Sequence, residues 1–498
     1  MSSSRRERPQ RGAAWGVAAW AAAMYATTFL HLLADFPRGA PWSDMSKTTD
    51  EGWYAGGALH HFVFGHWYLP DAFNPAVAMP MWPLMLGGWF SVAGVGMLQA
   101  RLLTVLLYGV SLVLMMKLLR EEGCGWLTCA GAALLMAANP FCYVFDRMAL
   151  LEPVSVFWWV LGLWVAGKAA GGWWKAAATG MAIVALVWTK TTAIALVVPI
   201  LYFLYARARQ QKRPWIGPMV TAITTAAVAW CVYFFAWVRP KYLHDFKFVF
   251  AINDYRSHLT VLPAMLWQTL RSGLWINSVL FPLGLVFVIA AAVWMRDLWR
   301  RPLFTSAVLA GGMDLAFILY HGNLQPRYYL IVAMPLVVVV VMGVEELWRK
   351  GMKRTALAGG VLLIGVAVPM TLRTLEYALH PAYTHRDMAV AVAEKMREGG
   401  NPTPVLYGGG ADDISLFTGV RAIAFYAPNG TGPLLARYQP GWMGAWMDWD
   451  EAFVKQVSQE YSLVPVATFR VYEDQPKHDV FVLYRMVPRR NQPLGATK

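Results

Sequence analysis

Charged residues and cysteine are both scarce in this sequence. Only 14% of its 498 residues are charged, against about a quarter in soluble globular proteins, and the mean hydropathy is +0.41. The shortage of charge excludes a disordered chain and an ordinary soluble enzyme. The four cysteines form no CxxC pair and no Cys/His ligand spacing, so the sequence supports neither a zinc site nor a disulfide framework.

The charge that is present is biased towards basic residues. Lys and Arg number 43 and Asp and Glu number 29, which gives a formal net charge of +14. In a soluble protein this would indicate nucleic-acid binding. Here the basic residues stand in short clusters between apolar runs, a pattern typical of loops on the cytoplasmic side of a membrane. We therefore predict no nucleic-acid partner.

Apolar runs long enough to cross a bilayer recur from the N-terminus to about residue 373. They predict a polytopic α-helical membrane protein with about eleven transmembrane helices. The first is interpreted as an uncleaved anchor, because no convincing signal-peptidase site follows it. The predicted spans are 13–34, 101–118, 126–145, 153–170, 174–189, 191–206, 215–238, 277–295, 303–320, 329–347 and 355–373.

A further apolar run, at 79–98, decides which side of the membrane every later loop faces. Prolines and glycines interrupt it, so it is predicted to lie beside the membrane or to re-enter it without crossing. All basic clusters then share one face with the N-terminal arginines, as the positive-inside rule requires. The sequence thus predicts a multi-pass protein of the plasma (inner) membrane, with a cytoplasmic N-terminus and juxtamembrane helices in the first outer loop.

The composition changes at about residue 381, where the apolar runs end. The predicted domains are therefore a transmembrane domain, 1–380, whose first outer loop spans 35–100, and a non-cytoplasmic (periplasmic or extracellular) domain, 381–498. The second is predicted to be a small soluble α/β domain. Its predicted helices are 387–398 and 449–461, and its predicted strands are 404–407, 422–426, 464–472 and 479–486.

Nearly every ionisable residue without a role in topology collects at the predicted outer face. Ionisable groups at membrane depth are costly and are functional candidates by default. Each also has a simpler interpretation. In these simpler interpretations, Asp50-Glu51 belongs to a solvated loop, and Arg147 and Glu152 form an ion pair or anchor the helix end. Lys190 reaches the membrane surface, and Arg327 is an interfacial anchor.

The order and spacing of these motifs carry more information than any one of them. An outer loop with Asp50–Ala55 is followed by a span beginning Ala100–Leu103, then by Arg147–Glu152, Trp188–Lys190 and Pro326–Tyr328. Over about 1–350 this series resembles the GT-C superfamily of polyprenyl-phosphate-sugar-dependent membrane glycosyltransferases. The resemblance is strongest to protein O-mannosyltransferases, lipid A aminoarabinose transferases and bacterial lipopolysaccharide-sugar transferases.

The resemblance implies inverting transfer of a sugar from a polyprenyl phosphate to a lipid, glycan or protein acceptor on the non-cytoplasmic face. Such a reaction needs a base for the acceptor hydroxyl and cations for the departing phosphate. The implied catalytic acids are Asp50, as general base, and Glu51. The other implied residues are Arg147, Lys190 and Arg327 for the donor phosphate, and Glu152, Tyr54, His61 and Tyr328 for substrate.

No cofactor is firmly implied. Asp50 and Glu152 have the carboxylate oxygens that a divalent Mg²⁺ or Mn²⁺ ion prefers, so a metal at these residues stays an open alternative.

Two departures separate this chain from the aminoarabinose transferases. Those enzymes carry a lysine in an E-K-P-P motif of the first loop, whereas the corresponding Ala78–Pro83 contains no lysine. Trp53 stands where they have arginine. Their way of holding the donor phosphate, and aminoarabinose as the sugar, are therefore not expected to carry over.

Two other classes of function compete with a glycosyltransferase. A transporter or flippase for a lipid-linked or polar substrate would favour internal repeats and ionisable residues near the bilayer midplane. The sequence has no apparent repeat, and its ionisable residues lie at the ends of predicted spans. A non-catalytic scaffold that displays the C-terminal domain would tolerate Asp50→Asn and Arg147→Ala without loss of function.

Overall fold

The computed structural model describes residues 4–42, 44–253, 261–400, 404–447, 449–472 and 479–489. The chain divides into two compact units. The membrane unit comprises Met1–His31, Thr104–Pro240 and Asp254–His380, and the mixed unit comprises Leu32–Leu103, Lys241–Asn253 and Pro381–Lys498. The mixed unit thus joins the whole of the predicted first outer loop to the C-terminal segment, whereas the sequence grouped that loop with the membrane spans.

Helices make up the described part of the membrane unit. They are α1 (Ser4–Thr27), α4 (Met97–Glu121, whose first residues belong to the mixed unit), α5 (Trp126–Ala137), α6 (Pro140–Phe145), α7 (Leu151–Ala166), α8 (Trp173–Thr189), α9 (Val197–Gln210), α10 (Ile216–Tyr233), α11 (Arg239–Lys241), α13 (Leu262–Ser272), α14 (Leu280–Val293), α15 (Pro302–His321), α16 (Leu330–Arg349) and α17 (Lys353–Leu379).

Several of these helices are long and apolar enough to cross a bilayer. Within the described ranges there are six, or seven if Leu262–Trp275 and Leu280–Val293, which meet at 117°, form one span. The protein is therefore a multi-pass membrane protein, while the predicted number of eleven spans is not confirmed. The six are Met97–Glu121, Thr191–Gln210, Ile216–Lys241, Pro302–His321, Pro326–Arg349 and Lys353–Glu398.

Two predicted spans have boundaries that the structure corrects. The predicted span 126–145 is two helices, because Asn139 and Pro140 interrupt it. The Asn139 side chain accepts a hydrogen bond from the Phe141 N–H (3.0 Å), which starts a new helix, and proline cannot continue the previous one. The predicted span 13–34 ends early, since α1 stops at Thr27 and a run of turns follows.

The helical parts of the mixed unit include α2 (Asp50–Phe64), α3 (Met81–Ala93) and α12 (Leu243–Ile252). The 13 residues of α3 extend about 20 Å, less than the hydrocarbon thickness, and Gly94 (φ +86°) ends this helix before α4 begins. The run at 79–98 therefore contains a short helix of the first loop, packed against α2, as expected from its prolines and glycines.

The C-terminal segment forms a five-stranded mixed sheet of order β2-β1-β3-β5-β4. Pairs β1–β2 and β1–β3 are parallel, and pairs β3–β5 and β4–β5 are antiparallel. Its elements are α18 (Thr384–Glu398), β1 (Val405–Gly408), α19 (Ala411–Thr418), β2 (Arg421–Ala424), α20 (Thr431–Tyr438), β3 (Trp442–Trp446), α21 (Glu451–Val457), β4 (Tyr461–Arg470) and β5 (Val480–Pro488).

Alternation along β1 places a hydrophobic core on each face of this sheet. Leu406 packs with residues of α18 and α19, whereas its neighbours Val405 and Tyr407 pack with residues of α20 and α21. The predicted α/β class of the C-terminal segment is thus confirmed. Strand β3 and helices α19 and α20 were not predicted.

Candidate active site

Asp50 is the first residue of α2 in the mixed unit. Its side chain is 3% exposed, and its Oδ1 accepts a hydrogen bond from the Thr49 hydroxyl (3.2 Å). A carboxylate in the first turn of a helix is stabilised by the helix dipole. The predicted base is thus held at a buried helix start.

Glu51 forms a buried, two-pronged ion pair with Arg101. Arg101 Nε donates to Glu51 Oε1 (2.8 Å), and Nη2 donates to Oε2 (2.5 Å). Arg101 Nη1 also donates to the carbonyls of Leu32 and Ala34, at 2.7 Å each. This geometry ties the second residue of α2 to the start of α4 and to the backbone at Leu32 and Ala34.

Gly52 brings α2 against α19. Its N–H donates to a carboxylate oxygen of Asp413, and a Cβ added to Gly52 would lie 2.3 Å from the backbone of Asp412 and Asp413. Burial raises the pKa of Asp413 well above its usual range, and the nearby negative charge of Glu51 raises it further, although the Gly52 hydrogen bond opposes both. An acid of the C-terminal segment therefore fixes the helix start that carries Asp50.

A second acid links the same two segments of the mixed unit. The Asp35 carboxylate accepts hydrogen bonds from the Thr384 hydroxyl and the His385 N–H in the first turn of α18, both at 2.9 Å. The imidazole of His385 is buried, which lowers its pKa to about 3 and keeps it neutral.

Four residues that the sequence singled out meet in the membrane unit. Lys190 Nζ donates to Oε1 of Glu152 (2.6 Å), which is fully buried, and Arg327 Nε lies 3.6 Å from the same oxygen. The ring of Tyr328 lies 4.1 Å from Lys190 Nζ and 5.1 Å from the Arg327 guanidinium carbon. We call Glu152, Lys190, Arg327 and Tyr328 the cation cluster.

Asp314 adds a second acid to this region. It lies on α15, is 4% exposed, and interacts electrostatically with Lys190 and Glu152. Within the described ranges, Oδ2 of Asp314 and Oε2 of Glu152 are buried without a hydrogen-bond partner. Buried carboxylate oxygens normally accept a hydrogen bond, so each of these two oxygens can accept one from a bound ligand.

Arg147 precedes Glu152 in the chain and has its own partners. Its Nη1 donates to the Tyr143 hydroxyl (3.2 Å) and to the His31 carbonyl (3.4 Å), and its guanidinium lies 4.9 Å from the Tyr143 ring centroid. The side chain is 4% exposed. This environment anchors the arginine at the end of α6.

The two predicted substrate residues of the first loop differ in their distance from Asp50. Tyr54 follows it by one helical turn, so both side chains share a face of α2. His61 lies eleven residues along the helix, about 16 Å away, and stacks on Trp67 with ring centroids 5.2 Å apart. Tyr54 can therefore contact a group bound at Asp50, whereas His61 cannot.

Metal ligation was left open by the sequence. Over the described ranges, no group of three or more His, Cys, Asp or Glu side chains could hold a metal ion. We therefore derive no step through a metal.

Solved structures with a similar fold span nearly the whole chain. Two crystal structures of ArnT from Cupriavidus metallidurans, one bound to undecaprenyl phosphate and one in the apo state, superpose with TM-scores of 0.60 and 0.59. They are 16% and 17% identical, and each alignment covers 94% of this chain and 97% of the other. The chain has the GT-C fold.

The other comparisons add nothing to this fold assignment. The S. cerevisiae protein O-mannosyltransferase Pmt1–Pmt2 complex bound to the sugar donor gives a TM-score of 0.32 at 15% identity, covering 47% of this chain and 34% of the other. No protein-family profile and no curated protein matches the chain.

The two departures from the aminoarabinose transferases have a structural explanation. The Trp53 ring packs against Phe73 and Tyr426, with centroids 5.3 and 5.0 Å apart. Ala78, in the segment that lacks the lysine, is buried in the same apolar cluster. Where those enzymes have charged residues, this chain has a hydrophobic cluster.

Three residues of these sites were missed from the sequence. Asp314 had a visible signal, since an acid interrupts an otherwise apolar span. Arg101 had one too, as a basic residue at the predicted outer end of a span. Asp413 had none, because its partner Gly52 is 361 residues away in the chain.

Proposed function

We propose that this protein is a membrane glycosyltransferase that moves one sugar from a polyprenyl phosphate to an acceptor hydroxyl. The observation that carries the proposal is the cation cluster, in which Lys190 and Arg327 share one buried Glu152 oxygen within a GT-C fold. Fixed cations of this kind stabilise a departing phosphate. A matched structure that binds undecaprenyl phosphate supports a polyprenyl phosphate as the carrier.

In the proposed reaction the acceptor oxygen attacks the anomeric carbon of the sugar. Asp50 takes the proton from the acceptor hydroxyl, and the bond between the anomeric carbon and the phosphate oxygen breaks with inversion. The electron pair leaves with the polyprenyl phosphate, whose negative charge Lys190 and Arg327 stabilise, with Arg147 as a third cation. The acceptor is a lipid, a glycan or a protein on the predicted outer side.

The remaining residues have supporting roles in this proposal. Glu51 acts as a positioning residue, because both of its oxygens are bound by Arg101. Glu152 and Tyr328 orient the two cations, and Tyr54 binds the sugar or the acceptor one turn from Asp50. His61 is proposed to contact a distant part of the acceptor, given its position along α2.

The test is turnover by the purified protein with a panel of polyprenyl-phosphate sugars and a membrane extract as acceptor source. Mass spectrometry follows loss of sugar from the donor and release of polyprenyl phosphate. Asp50→Asn should lower turnover by about 10²–10⁴-fold, the usual contribution of a general base. Asp71→Asn is the matched control, since Asp71 lies in the same loop and binds Asn429 and Arg437 at the surface.

Two results would contradict the proposal at different points. Full turnover by Asp50→Asn would remove the base assignment and leave the enzyme class. Movement of intact donor across a liposome membrane, without sugar transfer, would favour the flippase alternative.

A further inference from the structure

A cavity lies in the membrane unit, among α1, α5, α16 and α17. Its volume is about 600 Å³. Helix α1 contributes Val17 and Trp20, and α5, α16 and α17 contribute most of the other lining residues. None of the residues of the cation cluster lines it. We call it the inner groove, because the positive-inside pattern places its charged end at the cytoplasmic side.

One end of the inner groove is polar. Arg120 and Glu345 line it, and Glu345 accepts a hydrogen bond from the Thr128 hydroxyl. The Arg120 guanidinium lies 4.5 Å from the ring of Trp126, which is largely exposed, as is Trp348 nearby. Exposed tryptophans beside charged residues mark the level of the lipid headgroups.

The rest of the groove is apolar and about as deep as one leaflet. Its lining runs from Gly125 to Leu135 along α5 and from Ala356 to Ala367 along α17, so each wall is about 15–16 Å long. Half of a hydrocarbon core is about 15 Å thick. A groove of this depth fits the acyl chains of one leaflet under a headgroup at the charged end.

We propose that the inner groove binds a phospholipid with a primary-amine zwitterionic headgroup, of the phosphatidylethanolamine type. Arg120 binds the phosphate, since a guanidinium matches phosphate oxygens. Glu345 receives the ammonium: its carboxylate has about four acceptor positions, and Thr128 and Arg349 face two of them. Phosphatidylglycerol offers no cation to Glu345, and phosphatidylcholine offers no N–H donor. This site is independent of the proposed sugar transfer.

The experiment is native mass spectrometry of the full-length protein, titrated with phosphatidylethanolamine, phosphatidylglycerol and phosphatidylcholine of identical acyl chains. The wild type should prefer phosphatidylethanolamine. Glu345→Gln should reduce that preference about tenfold or more, the contribution of one charge-assisted hydrogen bond, and Arg120→Gln should weaken binding of every phospholipid. Arg300→Gln is the control, because Arg300 is an exposed arginine that does not line the groove.

A second set of variants fills the groove without touching its charges. Gly131 and Gly360 both line it, and a Cβ added at either would meet no atom within 4 Å. Gly131→Leu and Gly360→Leu should therefore keep the unfolding temperature of the wild type and lose the bound phospholipid.

Three outcomes would overturn the proposal. Equal retention of the three phospholipids by the wild type would show an unselective annular lipid. Unchanged binding in the leucine variants would place the lipid elsewhere. One-for-one displacement of phosphatidylethanolamine by polyprenyl phosphate would assign the groove to the donor.

Discussion

Each unit of this protein buries a glutamate against a cation, but the two pairs differ in how completely the cation is bound. In the mixed unit, Arg101 uses four of its five N–H donors on Glu51 and two carbonyls. In the membrane unit, Lys190 has three N–H donors and uses one of them in its hydrogen bond to Oε1 of Glu152. Arg327 lies beside the same oxygen.

This difference separates a structural ion pair from a site that can receive an anion. A cation with nearly all of its donors in use holds segments together and has little left to offer a ligand. A lysine with donors in reserve, 11% exposed beside a second cation, can bind phosphate oxygens without breaking its existing contact. The comparison supports a structural role for Arg101 and agrees with the phosphate-binding role proposed for the cation cluster.

The largest expected effect comes from removing the shared acid of the cation cluster. Glu152→Gln removes the acid that Lys190 and Arg327 share, and breaking a buried pair in this way costs about 3–5 kcal/mol of unfolding free energy. Thermal unfolding in detergent measures the loss. The exposed Arg373–Glu376 pair is the control, and Glu376→Gln should change stability by about 1 kcal/mol or less.

The same variant tests whether the cluster is an anion site. Inorganic phosphate should stabilise Glu152→Gln more than it stabilises the wild type, because it replaces the missing negative charge. If Glu152→Gln and Glu376→Gln unfold alike, with no response to phosphate, the contrast between the two ion pairs is wrong.

The cation cluster shows how much of the site the sequence could predict. Glu152, Lys190 and Arg327 were chosen because each is an ionisable residue at the end of a predicted span, where burial is costly unless a partner compensates for it. The structure brings these three together. Such residues can be found one at a time, since each violates the apolar pattern around it.

The Gly52–Asp413 contact could not be predicted, because neither residue violates a local pattern. Gly52 follows two acids at a helix start, and Asp413 lies in the first turn of α19, both ordinary positions. Strand β3 was missed for a related reason. All five of its residues are buried, so the alternation that reveals a half-buried strand is absent.

A smaller effect is expected at the glycine that joins α2 to α19. Gly52→Ala would place a methyl group 2.3 Å from the backbone of Asp412 and Asp413, and such overpacking costs about 1–3 kcal/mol. Turnover should fall as well, because the displaced helix start carries Asp50. Gly56→Ala is the matched control on the same helix, where the nearest atom is 3.7 Å from the added methyl. Equal stability and turnover of the two variants would show that the contact is dispensable.

The smallest expected effect concerns pH and tests whether the mixed unit carries excess buried acid. The pKa of Asp413 is raised in the folded state, so the folded protein binds the extra proton and this contribution to stability is complete below about pH 4. It is lost as pH rises through the raised pKa. Asp413→Asn still accepts the Gly52 N–H but cannot ionise, so it should exceed the wild type in stability at pH 7.5 and match it near pH 4. Asp71→Asn is the control and should show the opposite trend. Hydrogen bonds from Asn429 and Arg437 lower the pKa of Asp71, so its contribution to stability is present at high pH and lost on acidification.

Unfolding temperatures of the three proteins, measured from pH 4 to pH 7.5, test this prediction. Parallel curves for the wild type and Asp413→Asn would mean that Asp413 ionises in the folded protein without cost to stability. The mixed unit would then carry no excess buried acid.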